Sequence, residues 1–237
     1  MIPKKIHYCW FGRGELPKLA EKCIASWKKY CPDYEVILWN EDNFDINACP
    51  YVKEAYENRK FAFVTDYVRL YAMYTQGGIY MDTDVEVVAP LDGYLHHHGF
   101  SGFEDTDRIP TGIMASEKGF SLFETLLKDY DGRHFVKEDG SFDMTTNVVT
   151  ITNILLGNGF VPNGEFQEVC GFALYPRDVF CPLDDSTGIM YKSKNTATIH
   201  WFNKSWIPWH LRVRSKITKV FHRIFGVNCF AFLKKKK

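Results

Sequence analysis

The stretch "GGIYMDTDVEVV", residues 77–88, carries two aspartates separated by one threonine, Asp82 and Asp84. Its β-branched and aromatic composition predicts a strand over Ile79–Val88. Alternate side chains of a strand share a face, which would leave the two carboxylates about 7 Å apart on one side. Such a pair beside apolar sequence binds a hard divalent cation such as Mg²⁺ or Mn²⁺, or else lies on a solvated strand edge. A bare Asp-x-Asp by itself favours the solvated edge.

The segment just before this stretch favours a site. "KFAFVTDYVRLYAMYTQGG", residues 60–78, has helical apolar spacing and ends in two glycines, which predicts a helix with a glycine stop. Asp66 and Arg69 are spaced i and i+3, so they share one face of this helix. Three carboxylates and a guanidinium within an apolar block form a polar cluster, and such clusters are more often sites than accidents. The alternative is a structural ion pair.

A second copy of the tripeptide, Asp105-Thr106-Asp107, lies in "GFEDTDRIP". It is flanked by Glu104 and Arg108 and is followed by Pro110, with no apolar strand to hold it. This run of charges predicts a solvated loop, and we expect the second copy to be a decoy that at most borders the cleft.

The rest of the chain predicts an α/β fold with a mostly parallel sheet. A strand over Ile6–Trp10, an amphipathic helix from Leu16 to Trp27 and a strand over Tyr34–Trp39 give the strand–helix–strand order of parallel sheets. Further helices are predicted at Gly119–Tyr130 and Asp143–Leu156, and further strands at Phe100–Phe103, Gly112–Ala115, Ala173–Tyr175 and Thr196–Phe202.

The overall composition is that of one soluble domain. The 237 residues are 46% hydrophobic, 16% aromatic and 24% charged, and the formal net charge of zero gives no case for a nucleic-acid partner. The seven cysteines include no C-x-x-C pair, which favours reduced thiols in a cytoplasmic protein over a zinc site or a disulfide scaffold. The N-terminus lacks the apolar run of a signal peptide, and no stretch has the length and apolarity of a membrane span.

Three ordered motifs together resemble a known family. These are "FAFVTDYVRLYAMYTQGGIYMDTDVEVVAPL", the opening strand "IPKKIHYCWFG" and the closing "IHWFNKSW". They resemble the family-32-type glycosyltransferases containing the DXD sugar-binding motif, with yeast mannosyltransferases, bacterial capsule enzymes and the core of the clostridial glucosylating toxins. The resemblance implies a GT-A fold with a Rossmann-like sheet, a nucleotide-sugar donor, a divalent cation and retention of anomeric configuration.

The resemblance also implies a metal site. Asp84 would be the direct ligand, Asp82 would act through water or on the donor, and His200 would be the third ligand. Imidazole is an acceptable ligand for Mn²⁺-type sites, although a lone His is more often a satisfied core residue.

The donor site implied by the resemblance lies around the same motif. Asp66 and Arg69 resemble the pair that grips the donor sugar, and we expect them to act in catalysis with Asp82 and Asp84. Trp10 would stack on the base, with plain core packing as the alternative. The other donor-binding residues implied are Tyr80, Ser205 and Trp206, the last two in a loop over the diphosphate where Lys204 replaces the family's small residue.

The expected reaction is transfer from a nucleotide-sugar, with a UDP-sugar favoured over GDP, to a glycan or lipid-linked oligosaccharide of a surface polysaccharide such as a capsule. The sequence offers no clear nucleophile, which favours front-side attack. Asn147 is a candidate for facing the reactive carbon, although a polar helix position explains it as well. The rivals are a haloacid-dehalogenase-type phosphatase, whose motif continues with Gly-Thr rather than Val85-Glu86, and a non-catalytic nucleotide-sugar- or glycan-binding module.

The domain organisation follows from the motifs. We expect one catalytic domain over residues 1–206, with a nucleotide-binding half at about 1–90 and an acceptor half at about 91–206. Residues 207–237 would form a basic amphipathic helix and a Lys tail, since no Asp or Glu follows Arg212. Such a segment suits peripheral contact with the inner face of a cell membrane, or else packs on the domain.

Overall fold

The computed structural model describes residues 1–105, 107–203, 207, 209–226 and 229. The helices are α1 Lys18–Tyr30, α2 Pro50–Glu57, α3 Phe61–Gln76, α4 Ser121–Lys128, α5 Asn147–Leu156, α6 Arg177–Phe180 and α7 Trp209–Phe225. The strands are β1 Lys5–Cys9, β2 Glu35–Trp39, β3 Gly78–Met81, β4 Val85–Val87, β5 Gly99–Gly102, β6 Ile113–Ser116, β7 Gln167–Val169, β8 Phe172–Tyr175 and β9 Thr198–His200.

The main sheet has the strand order β2-β1-β3-β6-β5-β8-β7. The strands β2, β1, β3, β5 and β8 run in one direction, whereas β6 and β7 run in the other. The predicted α/β class with a mostly parallel sheet is therefore confirmed. The strand–helix–strand unit at the start of the chain is also confirmed, with Ile6 opposite Val36 in the parallel pair β1–β2.

The single strand predicted over Ile79–Val88 is wrong. β3 ends at Met81, residues 82–84 form a turn, and Val85 starts β4 in a separate two-stranded sheet with β9. The Val85 N–H donates to the Asp82 carbonyl at 3.0 Å, which closes the turn. Asp and Thr side chains favour turns, and two carboxylates cannot continue a strand that is buried on both faces. The turn, not the alternation of a strand, therefore brings the carboxylates together.

Several predicted element ends shift by a few residues. α5 begins at Asn147, after the predicted start at Asp143, and β9 ends at His200, before Phe202. The described residues contain no helix with the length and apolarity needed to cross a membrane. The division into halves and a C-terminal segment stays a prediction.

The core on one side of β1 contains a polar pair. His7 is fully buried, its Nε2 lies 2.9 Å from the Gly77 carbonyl, and its Nδ1 accepts from Trp39 Nε1 at 3.1 Å. Burial lowers the pKa of His7 to about 4, so the ring is neutral and both nitrogens are used. His7 therefore fixes β1, β2 and the end of α3 relative to one another, which is a structural role.

Candidate metal and donor site

The structure brings the three predicted metal ligands together. Asp82 follows β3 and Asp84 precedes β4, while His200 ends β9 directly opposite Val85. One ligand atom from each residue lies within 4.8 Å of the others. Two carboxylates and an imidazole suit a borderline or hard divalent cation such as Mn²⁺. The arrangement is therefore a candidate metal site.

Asp84 and His200 hold each other in charged form. His200 Nε2 lies 3.2 Å from Asp84 Oδ1, and the Asn203 N–H donates to Asp84 Oδ2 at 2.7 Å. Burial opposes both charges, but the attraction between the pair lowers the pKa of Asp84 and raises the pKa of His200 well above its ordinary value. His200 Nδ1 is buried and has no hydrogen-bond partner in the part of the chain that is described. A bound cation would replace the proton of the charged His200 ring, and the imidazole would become its ligand. The residues present therefore fit a metal.

Gly112 makes room for the cluster. A Cβ at this position would lie 2.8 Å from His200 Cε1 and 3.4 Å from Asp82 Oδ2. The Gly112 carbonyl also accepts from the Asp82 N–H at 2.8 Å. Any side chain here would push the imidazole out of place, because a gap of 2.8 Å is below carbon–carbon contact distance. No motif spacing marks Gly112, so this role could not be predicted from the sequence.

Arg69 lies at the base of the cluster and links it to α3. Its guanidinium contacts Asp66 Oδ1 at 3.2 Å and Asp82 Oδ1 at 3.4 Å, and donates to the Thr111 carbonyl at 2.6 Å. Burial opposes its charge, but the two carboxylates outweigh burial and raise the pKa of Arg69 above its ordinary value. The predicted pairing of Asp66 and Arg69 is thus present, and it reaches the DXD turn through Asp82.

Asp66 is the member of this group whose charge is, on balance, disfavoured by burial. Burial raises the pKa of Asp66 from 3.8 to about 6, although Arg69 favours its charged form. Asn147, at the start of α5, donates from its side chain to the Asp66 carbonyl at 2.6 Å and accepts from Tyr130 Oη at 2.7 Å. Only 1% of Asn147 is exposed, so it braces α5 against Asp66 rather than facing the cleft. Its candidate role at the reactive carbon stays a prediction, and these bonds give Asn147 a structural role.

Tyr80 and Trp10 occupy different depths. Tyr80 is buried behind the cluster, where its hydroxyl donates to Asp82 Oδ1 at 2.8 Å and its ring packs 4.7 Å from the Arg69 guanidinium. Trp10 follows β1 and is half-buried, with its indole N–H donating to the Gly14 carbonyl at 2.6 Å. Tyr80 thus fixes Asp82, and the predicted base stacking of Trp10 stays a prediction.

The closing motif is described only in part. Ser205 and Trp206, predicted to bind the donor, lie outside the described residues. Asn203 is described, and its backbone N–H donates to Asp84 Oδ2. Phe202 precedes it with φ of 50°, a left-handed conformation rare for this residue type, and its ring lies 4.0 Å from that of His200. The backbone just after β9 thus folds tightly over the cluster.

The second Asp-Thr-Asp copy lies in a loop. Asp107 is 62% exposed and pairs at 3.8 Å with Arg108, which is 68% exposed. The neighbouring Glu104 is half-buried, and burial raises its pKa while nearby His200 opposes the shift. The loop thus adjoins the cluster through Glu104, whereas Asp107 points to solvent.

Together these features define an α/β domain with a candidate divalent-metal site beside a buried Asp–Arg pair. Residues 17–101 match the model of the family described as the glycosyltransferase sugar-binding region containing DXD motif. Residues 17–101 are therefore similar to the sugar-binding region of the DXD glycosyltransferases, and the resemblance inferred from the motifs is confirmed. The comparisons favour this class over a phosphatase.

Similar proteins include both cellular and viral glycosyltransferases. The chain is 31% identical over 136 residues to inositol phosphoceramide mannosyltransferase 3 of Schizosaccharomyces pombe, with 54% of this chain and 37% of the relative covered. It is 24% identical over 237 residues to the uncharacterized glycosyltransferase L373 of Acanthamoeba polyphaga mimivirus, covering 93% and 88% of the two chains. The chain spans only 27% to 39% of the length of three curated relatives, the mannosyltransferases 3 and 2 and a Legionella pneumophila protein.

A solved structure is similar in overall extent. The galactosyltransferase LgtC in complex with donor and acceptor sugar analogs is 14% identical, with a TM-score of 0.46 and coverage of 94% of this chain and 95% of that chain. The GT-A designation remains what the family resemblance implies, and the α/β class rests on the sheet itself.

Proposed function

We propose that this protein is a metal-dependent glycosyltransferase that moves a sugar from a nucleotide-sugar to a glycan acceptor with retention of configuration. The observation that carries the proposal is the cluster of Asp82, Asp84 and His200 beside the buried pair of Asp66 and Arg69. A group that binds both a cation and sugar hydroxyls suits a donor whose leaving group is a diphosphate.

The cation, once bound, would offset the negative charge that develops on the departing diphosphate. Asp84 and His200 would hold it, with Asp82 completing the set directly or through water. Tyr80 and Arg69 keep Asp82 in position from behind, at 2.8 and 3.4 Å. Preorganised ligands stabilise charge without reorganising during the reaction, which is the larger part of such catalysis.

Asp66 and Arg69 would bind the sugar itself. An ionised Asp66 accepts hydrogen bonds from sugar hydroxyls, and Arg69 donates to hydroxyl or phosphate oxygens. The Thr111 carbonyl holds the Arg69 side chain, and the Asn147 backbone N–H donates to Asp66 Oδ2 at 3.4 Å, so the pair presents a constant geometry to the donor. In this scheme the departing phosphate removes the acceptor proton during front-side attack.

A UDP-sugar is the favoured donor, by the family resemblance. GDP-mannose is the second candidate, supported by relatives named as mannosyltransferases. The proposed acceptor is a lipid-borne glycan of the surface-polysaccharide kind, supported by the relatives named inositol phosphoceramide mannosyltransferases. A cytoplasmic site of action stays a prediction.

The experiment is donor hydrolysis without an acceptor. The protein is incubated with a panel of UDP- and GDP-sugars, with Mn²⁺, Mg²⁺ or chelator, and free nucleotide is measured. We expect metal-dependent release from one donor. If no nucleotide is released from any donor, and calorimetry with the same panel detects no binding of any nucleotide-sugar, the proposed function is wrong. Binding without hydrolysis, even with acceptor extracts, would instead favour the non-catalytic module.

A further inference from the structure

The C-terminal helix α7 turns an apolar face to solvent. Val213, Ile217, Val220 and Ile224 recur at helical spacing and are 45%, 54%, 51% and 65% exposed. Phe225, at the end of the helix, is 66% exposed. A row of large apolar side chains on one helix face is unusual for a surface in water. This row is called the outer face below.

The opposite side of α7 packs on the domain through polar groups. Ser215, Thr218 and Lys219 are half-buried there. Lys219 Nζ pairs with Asp185 Oδ1 at 3.1 Å, and its Cβ would lie 3.2 Å from a Cβ at Gly188. A helix that served only the core would show the reverse orientation, with its apolar stripe inward. The helix is thus held by its polar side, and its outer face is left for another surface.

The charge of this segment favours one kind of surface. The last 26 residues, from Arg212, contain nine of the 29 Lys and Arg and none of the 29 Asp and Glu. The remaining chain therefore carries a formal charge of −9, opposite to the +9 of the tail. An anionic surface attracts only this end of the molecule, and the attraction orients it.

We propose that α7 is an interfacial helix that inserts its outer face into a membrane containing anionic lipid. The net positive charge of these last 26 residues attracts the anionic headgroups, and the apolar row enters the boundary between headgroups and acyl chains. A second copy of this chain is a poorer occupant, because it would bring a second tail of charge +9 against the first. An anionic lipid surface instead supplies both the apolar layer and the counter-charge.

This inference rests on the proposed function for its consequence, which is the position of the site. Asn203 binds Asp84 through its backbone, and α7 begins shortly after it at Trp209. A membrane bound by α7 would therefore be linked to the candidate metal site by a short stretch of chain. The acceptor class that suits this arrangement is a glycan carried on a membrane lipid.

The test is flotation of the full chain with vesicles. The vesicles are phosphatidylcholine alone or mixed with phosphatidylglycerol, at low and high salt. The variant Ile217→Glu/Ile224→Glu places two charges on the outer face. The matched control is Leu156→Glu/Val161→Glu, which adds the same charge at apolar residues that are 46% and 54% exposed elsewhere. Circular dichroism and donor hydrolysis in solution report whether each variant is folded.

We expect the wild type and the control to float with anionic vesicles, less so at high salt, and the outer-face variant to lose about tenfold in bound fraction. Equal flotation of the two variants, or no flotation of the wild type, overturns the inference. Concentration-dependent dimers that the outer-face variant abolishes, without vesicle binding, would show that a second copy covers the face. None of these readouts requires turnover, so they are independent of the donor-hydrolysis test.

Discussion

The two Asp-Thr-Asp copies have the same residues and different surroundings. In the first copy the Asp82 and Asp84 side chains are 28% and 16% exposed, and strands of two different sheets flank the turn. In the second copy Asp107 is 62% exposed and pairs only loosely with exposed Arg108. Two carboxylates form a candidate cation site when the fold holds them together and partly removes their water. A bound cation then stabilises their negative charge better than the remaining water does.

The supporting residues account for the difference. The first copy is fixed by Arg69, Tyr80 and Asn203, and His200 adds a third candidate ligand from a distant part of the chain. The second copy has a backbone turn between Glu104 and Arg108, with a hydrogen bond of 3.0 Å.

Asp84→Asn is expected to reduce metal-dependent donor hydrolysis by about 100-fold or more, because the amide cannot supply the charge that binds the cation. Asp105→Asn/Asp107→Asn should retain activity within about twofold, since surface charges contribute little. The measurement is nucleotide release at saturating donor, with Mn²⁺ affinity determined by calorimetry. Equal losses in the two variants would remove the distinction between the copies.

Gly112→Ala is expected to weaken Mn²⁺ binding about tenfold, since the added methyl meets the His200 ring and moves a ligand. Gly93→Ala is the matched control, because a Cβ at Gly93 meets nothing within 4 Å. Calorimetric titration of both variants with Mn²⁺ checks the effect. Unchanged affinity in Gly112→Ala would mean that His200 is not a ligand.

Tyr80→Phe is expected to lower donor hydrolysis about fivefold, as the loss of one hydrogen bond to Asp82 costs about 1 kcal/mol. The control is Tyr34→Phe, because the buried Tyr34 hydroxyl has no hydrogen-bond partner among the residues the structure covers. Initial rates of both variants are compared with wild type at saturating Mn²⁺. A Tyr34→Phe loss as large as that of Tyr80→Phe would argue for a general packing effect.

Asp66→Asn is expected to stabilise the fold by about 0.5–1 kcal/mol at pH 7 while reducing activity. The pKa of Asp66 is raised from 3.8 to about 6, so the folded state binds the proton more tightly than the unfolded chain. Wild type therefore loses stability relative to the variant as pH rises from about 4 to 7. In the variant Arg69 keeps Asp82 and Thr111 as partners, so its charge is not left unpaired. Urea unfolding across this pH range measures the difference in stability.

The control for the Asp66 experiment is Asp143, whose pKa is shifted in the opposite direction. Burial raises the pKa of Asp143, but hydrogen bonds from Arg133 and Thr145 outweigh burial and hold the pKa below its ordinary value. Its stabilising contribution is present at neutral pH and is lost as pH falls through the folded pKa. Asp143→Asn should therefore destabilise the protein at pH 7. If Asp66→Asn behaves in the same way, the buried charge of Asp66 serves stability rather than donor binding.

Local patterns in the sequence were sufficient for much of the fold and for the choice of motif. The spacing of apolar residues predicted α3, and the Asp66–Arg69 spacing predicted a shared face that the structure contains. These features depend on neighbours within one or two turns of a helix. The apolar strands β1 and β2 were predicted for the same reason.

The remaining features depend on contacts between distant segments. The break between β3 and β4 follows from the pairing of β4 with β9, which no local pattern encodes. Gly112 matters only because His200 arrives beside it, and Asn147 is bonded only because Tyr130 and Asp66 meet there. The burial of a polar group is a property of the folded chain, so its partners could not be predicted from composition.

The pairing of β4 with β9 makes the candidate metal site a staple across the chain. Asp82 and Asp84 belong to its first half and His200 to its closing segment, so a bound cation joins parts of the fold that are far apart in sequence. By mass action a bound ion would raise the melting temperature of the protein, and detachment of β9 from β4 would release the ion. Occupancy by metal and closure of the last strand would then be two descriptions of a single equilibrium.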